Sequence, residues 1–168
     1  MRAALVVLAS LTLASCARTR AEQQSAGGTA SAAPQAVEAT GRVVEVGSDP
    51  TTWLALEPIG GGAQTRLGGP GAAALRAVNG AIVWVSGSRA GDEISVAVFE
   101  VRRIGDQDVD DGIVVITTTG AWLRMRSGTM RAVPDATPAL REAAGARVWI
   151  SRPVAGVAPS YGVIAPKP

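Results

Sequence analysis

The sequence predicts a mainly β protein built from two copies of one small unit, and three observations support this prediction. From residue 40 onward the chain is rich in valine and isoleucine and dense in glycine, and long helical patterns are almost absent. The same order of short segments occurs twice along this part of the chain. All four tryptophans fall into two matched pairs when the two copies are aligned.

The spacing of the aligned segments behaves as expected for a duplication. Trp53 and Trp122 are separated by 69 residues, and Trp84 and Trp149 by 65, so length is lost only across turn-like stretches. The aligned segments are "GRVVEV" (41–46) with "GIVVIT" (112–117), "TWLALEP" (52–58) with "AWLRMRS" (121–127), and "ALRAVNGAIVWVSG" (74–87) with "ALREAAGARVWISR" (139–152).

Each copy predicts three strands, one short helix and two further strands. Short apolar runs ended by Gly, Ser, Asp and Pro are typical of strands that lead into turns. A segment that begins with proline, continues with alanine and leucine, and stops at glycine is typical of a short helix. In the first copy these are strands at 42–47, 52–58, 64–67, 81–86 and 94–103 and a helix at 70–79; in the second copy the helix covers 138–144.

This order of elements resembles the OB-fold, a five-stranded Greek-key barrel with its helix between strands three and four. The resemblance implies two tandem OB-like barrels, at residues 40–104 and 112–168, joined by an acidic hinge at 105–111. SH3-like barrels, or one barrel shared by both copies, are the alternatives.

The first residues have the pattern of an export signal. A basic start is followed by an apolar run at residues 3–13, which is too short for the roughly 20 residues of a membrane-spanning helix. The run leads into Leu13-Ala14-Ser15-Cys16, which resembles the lipobox of bacterial lipoproteins processed by signal peptidase II. The resemblance implies that residues 1–15 are a signal peptide and that the Cys16 thiol receives the lipid.

The residues after Cys16 predict a flexible tether and a location. Residues 16–39 consist mainly of Ala, Ser, Gln, Gly and Pro, which cannot bury enough surface to fold. In the lipoprotein family an aspartate after the cysteine retains the protein in the inner membrane, whereas Ala17 stands here. We therefore expect an exported lipoprotein anchored in the outer membrane and facing the periplasm.

The residue types available for catalysis are few. The chain has no histidine, its only cysteine is Cys16 and its only lysine is Lys167, so we expect no enzyme activity and no cofactor. The aspartates of "GDQDVDDG" (105–112) suggest a calcium site at Asp106, Asp108 and Asp110. The EF-hand pattern fails because Asp111 stands where its glycine belongs, and a solvated hinge without metal is the favoured interpretation.

Basic charge is concentrated in the second copy. Residues 41–104 contain six arginines and six acidic residues, whereas residues 112–168 contain six arginines and Lys167 against Asp135 and Glu142. Period-two alternation places alternate side chains of a strand on one side of a sheet. The residues predicted to face outward, and so to form a ligand-binding or interface face, are Trp122, Arg124, Arg126, Arg147 and Trp149.

These observations lead to two expectations about function. The first is a lipid-anchored, non-catalytic scaffolding or interaction subunit that meets another envelope protein at the membrane surface. The second is a binding module for anionic envelope glycans or lipid headgroups through the Arg/Trp face of the second copy. Nucleic acid is not an expected partner for an exported chain.

Overall fold

A closed β-barrel is formed by the first five strands of the computed structural model, which describes residues 33–154, 157 and 159–168. Its elements are β1 (Gln35–Val46), β2 (Trp53–Pro58), β3 (Thr65–Gly68), α1 (Ala72–Leu75), β4 (Ile82–Ala90) and β5 (Glu93–Ile104). The strands pair in the order β1-β2-β3-β5-β4, and β4 pairs with β1 to close the barrel. Only β3 and β5 run parallel. The structure therefore confirms a mainly β protein with a closed five-stranded barrel.

The described part of the chain begins inside the segment predicted as a tether. The predicted signal peptide, Cys16 and tether residues 16–32 lie outside the described residues. Strand β1 begins at Gln35, so residues 35–39 belong to the barrel, where Gln35 pairs with Arg89 and Ala39 with Val85 of β4.

The second half of the structure contains the same order of elements but does not close. Its elements are β6 (Gln107–Thr117), β7 (Gly120–Met125), β8 (Met130–Ala132), α2 (Pro138–Glu142), β9 (Arg147–Ser151) and β10 (Tyr161–Ala165). They pair in the order β10-β9-β6-β7-β8, and among the described residues β8 and β10 are not paired. Two tandem barrels are thus not confirmed. The predicted hinge at 105–111 is a two-residue turn followed by the first five residues of β6.

Strand register shows why the second half remains open. Val85 pairs with Phe99 in the first half, and the equivalent Ile150 pairs with Tyr161, the first residue of β10. Because β10 begins only at Tyr161, the described strands include no counterpart of the part of β5 that pairs with β3.

The two halves share equivalent backbone hydrogen bonds, but only one of the two tryptophan pairs occupies equivalent positions. Val43 exchanges backbone hydrogen bonds with Gly80 and Ala81, and Val114 does so with Gly145 and Ala146. The aligned glycines Gly80 and Gly145 have φ angles of +85° and +86°, as expected for residues that end a helical segment.

The predicted correspondence of Trp53 and Trp122 is wrong by two positions. Trp53 pairs with Val46, and Thr117, the counterpart of Val46, pairs with Gly120. The turn between β6 and β7 is shorter than the turn between β1 and β2. The residues that pair with Val46 and Thr117 therefore differ. The pair Trp84 and Trp149 keeps its correspondence.

The two halves share hydrophobic core. The larger cluster of buried side chains consists mainly of barrel residues, but it also includes Val109 of β6 and Ile164 of β10, with Trp149 packed against it. A smaller cluster, which includes Leu123, Leu140 and Val148, fills the second half alone. The folded chain is therefore held together by apolar contacts as well as by the connection between β5 and β6.

Candidate interaction face and adjacent cleft

The five residues predicted to face outward lie on one side of the second sheet. Val114 and Leu123 pair with each other and are buried on the inner side. Trp122, which pairs with Val115, alternates with Leu123 and so points to the outer side. Arg124, Arg147 and Trp149 share that side by the same alternation, and Arg126 continues it beyond β7.

Two of these residues are held against the barrel. Arg147 donates from Nε and Nη2 to the Asp111 carboxylate at 2.8 and 2.6 Å, and from Nη2 to the Phe99 carbonyl oxygen at 2.6 Å. Its guanidinium lies 4.2 Å from the centre of the Phe99 ring. Asp111 in turn accepts a hydrogen bond of 2.9 Å from the backbone N–H of Val101. Asp111 and Arg147 therefore join β6 and β9 to β5.

Trp149 lies in the same contact and covers the barrel core. A side chain at Gly162, its partner on β10, would place a Cβ 2.6 Å from the indole nitrogen. Only glycine leaves room there, which fixes how the indole packs against the buried residues of the barrel.

Arg126 also reaches the barrel, although by weaker contacts. Its guanidinium lies 4.7 Å from the centre of the Trp84 ring, and its Nε lies 3.8 Å from Oε2 of Glu100. Glu100 is also 3.2 Å from Arg102, so two arginines share one carboxylate. Arg126 thus forms a second, more exposed contact between the halves.

The remaining part of the outer side is half-buried to exposed. Paired residues form two rows across β6, β7 and β8: Ile113, Arg124 and Met130 in one row, and Val115, Trp122 and Ala132 in the other. Met130 is 41% exposed and Arg124 is exposed. Trp122 is held in place because its indole N–H donates to Oγ1 of Thr117 at 3.2 Å. We call these six residues the outer patch.

A cleft lies between the outer patch and the barrel. It has a volume of about 450 Å³, and β5, β6 and β7 provide its walls. Three guanidiniums line it, from Arg124, Arg126 and Arg147, together with the carboxylates of Glu100 and Asp111. Val98, which is 39% exposed, and Ile113, which is half-buried on the outer side, provide apolar surface.

Two of the three aspartates suggested as a calcium site, Asp108 and Asp110, are paired with arginines, whereas Asp106 is exposed. Asp108 is paired with Arg103 at 3.1 Å, while Asp110 is paired with Arg131 and, at 3.2 Å, with Arg152. Burial, and to a smaller extent the nearby charge of Arg152, lowers the pKa of Arg131. No cluster of three acidic, cysteine or histidine side chains suited to a metal is present in the part of the chain that the structure describes.

Two buried carboxylates were not anticipated from the sequence: Asp111, which binds Arg147 of the face, and Asp110, which binds Arg131 and Arg152. Asp110 and Asp111 are 7% and 3% exposed, yet their position in an acidic run indicated a solvated segment. The alternation of Asp108, Val109 and Asp110, which leads directly into the apolar run after Gly112, is the signal that could have placed this segment in a strand.

Comparisons with family models, curated proteins and solved structures gave no match to the chain. None of the helices in the described ranges is both long and apolar enough to cross a membrane.

Proposed function

We propose that this chain is a lipid-anchored bacterial envelope protein whose folded part is a non-catalytic interaction subunit at the membrane surface. The lipobox-like residues ending in Cys16 support export and anchoring, and Ala17 supports the outer membrane. The observation that carries the interaction proposal is the outer patch, where Trp122, Arg124 and Met130 are presented together on a rigid sheet.

The chemistry of the patch favours a protein partner. Tryptophan and arginine are enriched among the residues that contribute most to binding energy, and methionine is enriched at interfaces. Because β7 holds Trp122 through both its strand pairing and its bond to Thr117, little side-chain entropy is lost on binding. The surplus of basic residues in the second half favours an acidic rim on the partner.

The architecture supports a module of this kind. The barrel order with β3 and β5 parallel, and with α1 between β3 and β4, is the order expected of an OB-fold. We assign the second half as an OB-like unit in which the third and fifth strands remain apart. The absence of histidine from the sequence also supports a non-catalytic role.

The second candidate, an anionic glycan or headgroup bound across the whole Arg/Trp face, has less support. Arg147 and Trp149 are occupied between the halves, and Arg126 is partly so. Only Trp122 and Arg124 of the predicted face would then be available to an extended polymer, and two side chains provide few contacts for such a ligand.

The proposal is tested by site-specific crosslinking in cells. A photo-crosslinking amino acid replaces Ala132, an exposed residue of the outer patch, and in a matched control it replaces Ala77, an exposed residue on the barrel. Illumination followed by mass spectrometry is expected to yield a defined protein adduct from position 132 and none from position 77.

The outcome separates the two candidates. Glycan or lipid adducts at position 132 without a protein would overturn the protein-partner proposal in favour of the second candidate. The same protein adduct from both positions would indicate contact by proximity and would count against a specific surface.

A further inference from the structure

We propose that the cleft beside the outer patch binds a phosphate monoester that carries an apolar group. This inference goes beyond the interaction proposal, because it concerns a small-molecule site lined by residues of both halves. Its volume of about 450 Å³ lies within the range of ligand pockets, roughly 300–1,000 Å³.

The charges around the cleft do not balance. Asp111 is matched by Arg147 in a two-bond ion pair, and Glu100 is shared by Arg102 and Arg126. Arg124 makes no ion pair with any acidic residue in the described part of the chain. Three arginines and two carboxylates line this space, so it carries an excess of one positive charge, that of Arg124.

A phosphate monoester matches this arrangement in charge and geometry. It carries between one and two negative charges near neutral pH, and its oxygens accept paired hydrogen bonds from a guanidinium. Arg124 and Arg126 are close in sequence on the same side of the sheet, so both can reach one phosphate. Both residues are exposed and already line the cleft, and Arg102 still pairs with Glu100 if Arg126 turns toward a ligand.

The apolar walls indicate what the phosphate is attached to. Val98, which is 39% exposed, and Ile113, which is half-buried on the outer side of the sheet, both line the cleft. Covering both side chains with an alkyl group would remove apolar surface from water, which inorganic phosphate cannot do. We therefore expect an alkyl phosphate to bind more tightly than inorganic phosphate.

The test is a calorimetric titration of the full chain, purified in detergent, with n-butyl phosphate, inorganic phosphate and n-butanol. Butyl phosphate is expected to bind, inorganic phosphate to bind about tenfold or more weakly, and butanol to give no measurable binding. Arg124→Gln is expected to weaken butyl phosphate binding by about tenfold or more, because a charged hydrogen-bond donor is lost. The matched control is Arg76→Gln, which removes an exposed arginine of the barrel that does not line the cleft.

A second variant tests the cleft independently of Arg124. Val98→Asp places a carboxylate at an exposed position in the cleft wall and is expected to abolish binding while the far-ultraviolet spectrum is unchanged. The proposal is overturned if the native protein does not bind butyl phosphate, or if Arg124→Gln binds it normally. An equal loss in Arg76→Gln would also overturn it.

The source of the phosphate is resolved with dihexanoyl phosphatidic acid, with dihexanoyl phosphatidylcholine as control, in the same detergent. Tighter binding of the phosphatidic acid than of butyl phosphate would support the site with a lipid headgroup as its ligand. Binding of butyl phosphate alone would support it with a soluble monoester. Failure of every titration while position 132 still crosslinks to a protein would remove the cleft proposal and leave the interaction proposal intact.

Discussion

At the scale of single residues, the contact between the halves depends on one buried carboxylate. Asp111 is 3% exposed and accepts hydrogen bonds from both Arg147 and the backbone of Val101. Both oxygens are engaged, so its burial is compensated only while these partners stay in place.

Replacing this carboxylate should therefore be costly. Asp111→Ala leaves Arg147 without its ion-pair partner and the Val101 N–H without an acceptor, and we expect the free energy of unfolding to fall by about 3 kcal/mol. Urea denaturation measures this loss. The control is Asp108→Ala, which removes an exposed pair with Arg103 and should cost less than about 1 kcal/mol. Equal losses in the two variants would contradict this account.

At the scale of elements, the open edge of β8 differs from its counterpart in the barrel. The backbone N–H of Arg66 in β3 donates to the carbonyl of Asp92 at 3.0 Å, which helps to close the barrel. Backbone N–H groups alternate in direction along a strand. The N–H of Val133 donates to the carbonyl of Ala121 in β7, so the N–H of Ala132, the residue equivalent to Arg66, points toward the gap. Pro134, at the position equivalent to Gly68, has no N–H to offer, which limits pairing with other chains.

Hydrogen exchange followed by NMR tests this difference. We expect the amide of Ala132 to exchange much faster than that of Arg66, because only the latter is hydrogen-bonded across the barrel seam. Val133 is the control within the same segment, since its hydrogen bond to Ala121 should protect it. Similar protection of Ala132 and Val133 would indicate that the second barrel closes in solution.

How far the sequence predicts these elements depends on the side chains that form them. Strands β2 to β5 were placed within a few residues, because their valines, leucines and isoleucines carry a clear apolar pattern. The first residues of β1 were missed, since Gln, Ala, Glu and Thr form a strand there only through pairing with β4. The gap in the second half depends on which strands meet in space, and local pattern does not encode that.

The sequence predicts which side chains of the candidate face lie on the same side of the sheet. It does not predict which of them already contact the barrel. Period two correctly grouped Trp122 with Arg124 on β7, and Arg147 with Trp149 on β9. Which of them contact the barrel depends on how the two halves pack. No feature within a single strand distinguishes Arg147, held by Asp111, from Arg124, which faces solvent.

At the scale of the whole molecule, the barrel does not contain all of its own core. Val109 and Ile164 come from the second half, and Trp149 of the second half also packs against this core. A barrel of this size is only marginally stable by itself, since small domains bury a smaller fraction of their surface.

The isolated barrel should accordingly be weaker than the intact chain. We expect a fragment of residues 33–104 to lose at least about 3 kcal/mol of unfolding free energy, because its core loses Val109 and Ile164. Urea denaturation of both proteins gives the comparison. A fragment with the same stability as the full chain would show that the shared core contributes little.

The anchoring proposal is also tested on the whole molecule. Cys16→Ser removes the thiol that would carry the lipid, and we expect the protein to move from the membrane fraction to the soluble fraction of cell lysates. Ser15→Ala, which leaves the thiol in place and keeps a small residue of the lipobox pattern before it, serves as the comparison. Membrane association that survives Cys16→Ser would require another means of attachment.

The position of Ile164 also has a consequence for biosynthesis. A polypeptide leaves the ribosome, and any export channel, from its N-terminus, so the five barrel strands emerge well before β10. Until Ile164 has left the ribosome and any export channel, a gap remains in the barrel core and apolar side chains stay exposed to water. The last strand to be delivered thus determines when the first barrel is finished, and the nascent chain must be protected from aggregation until then.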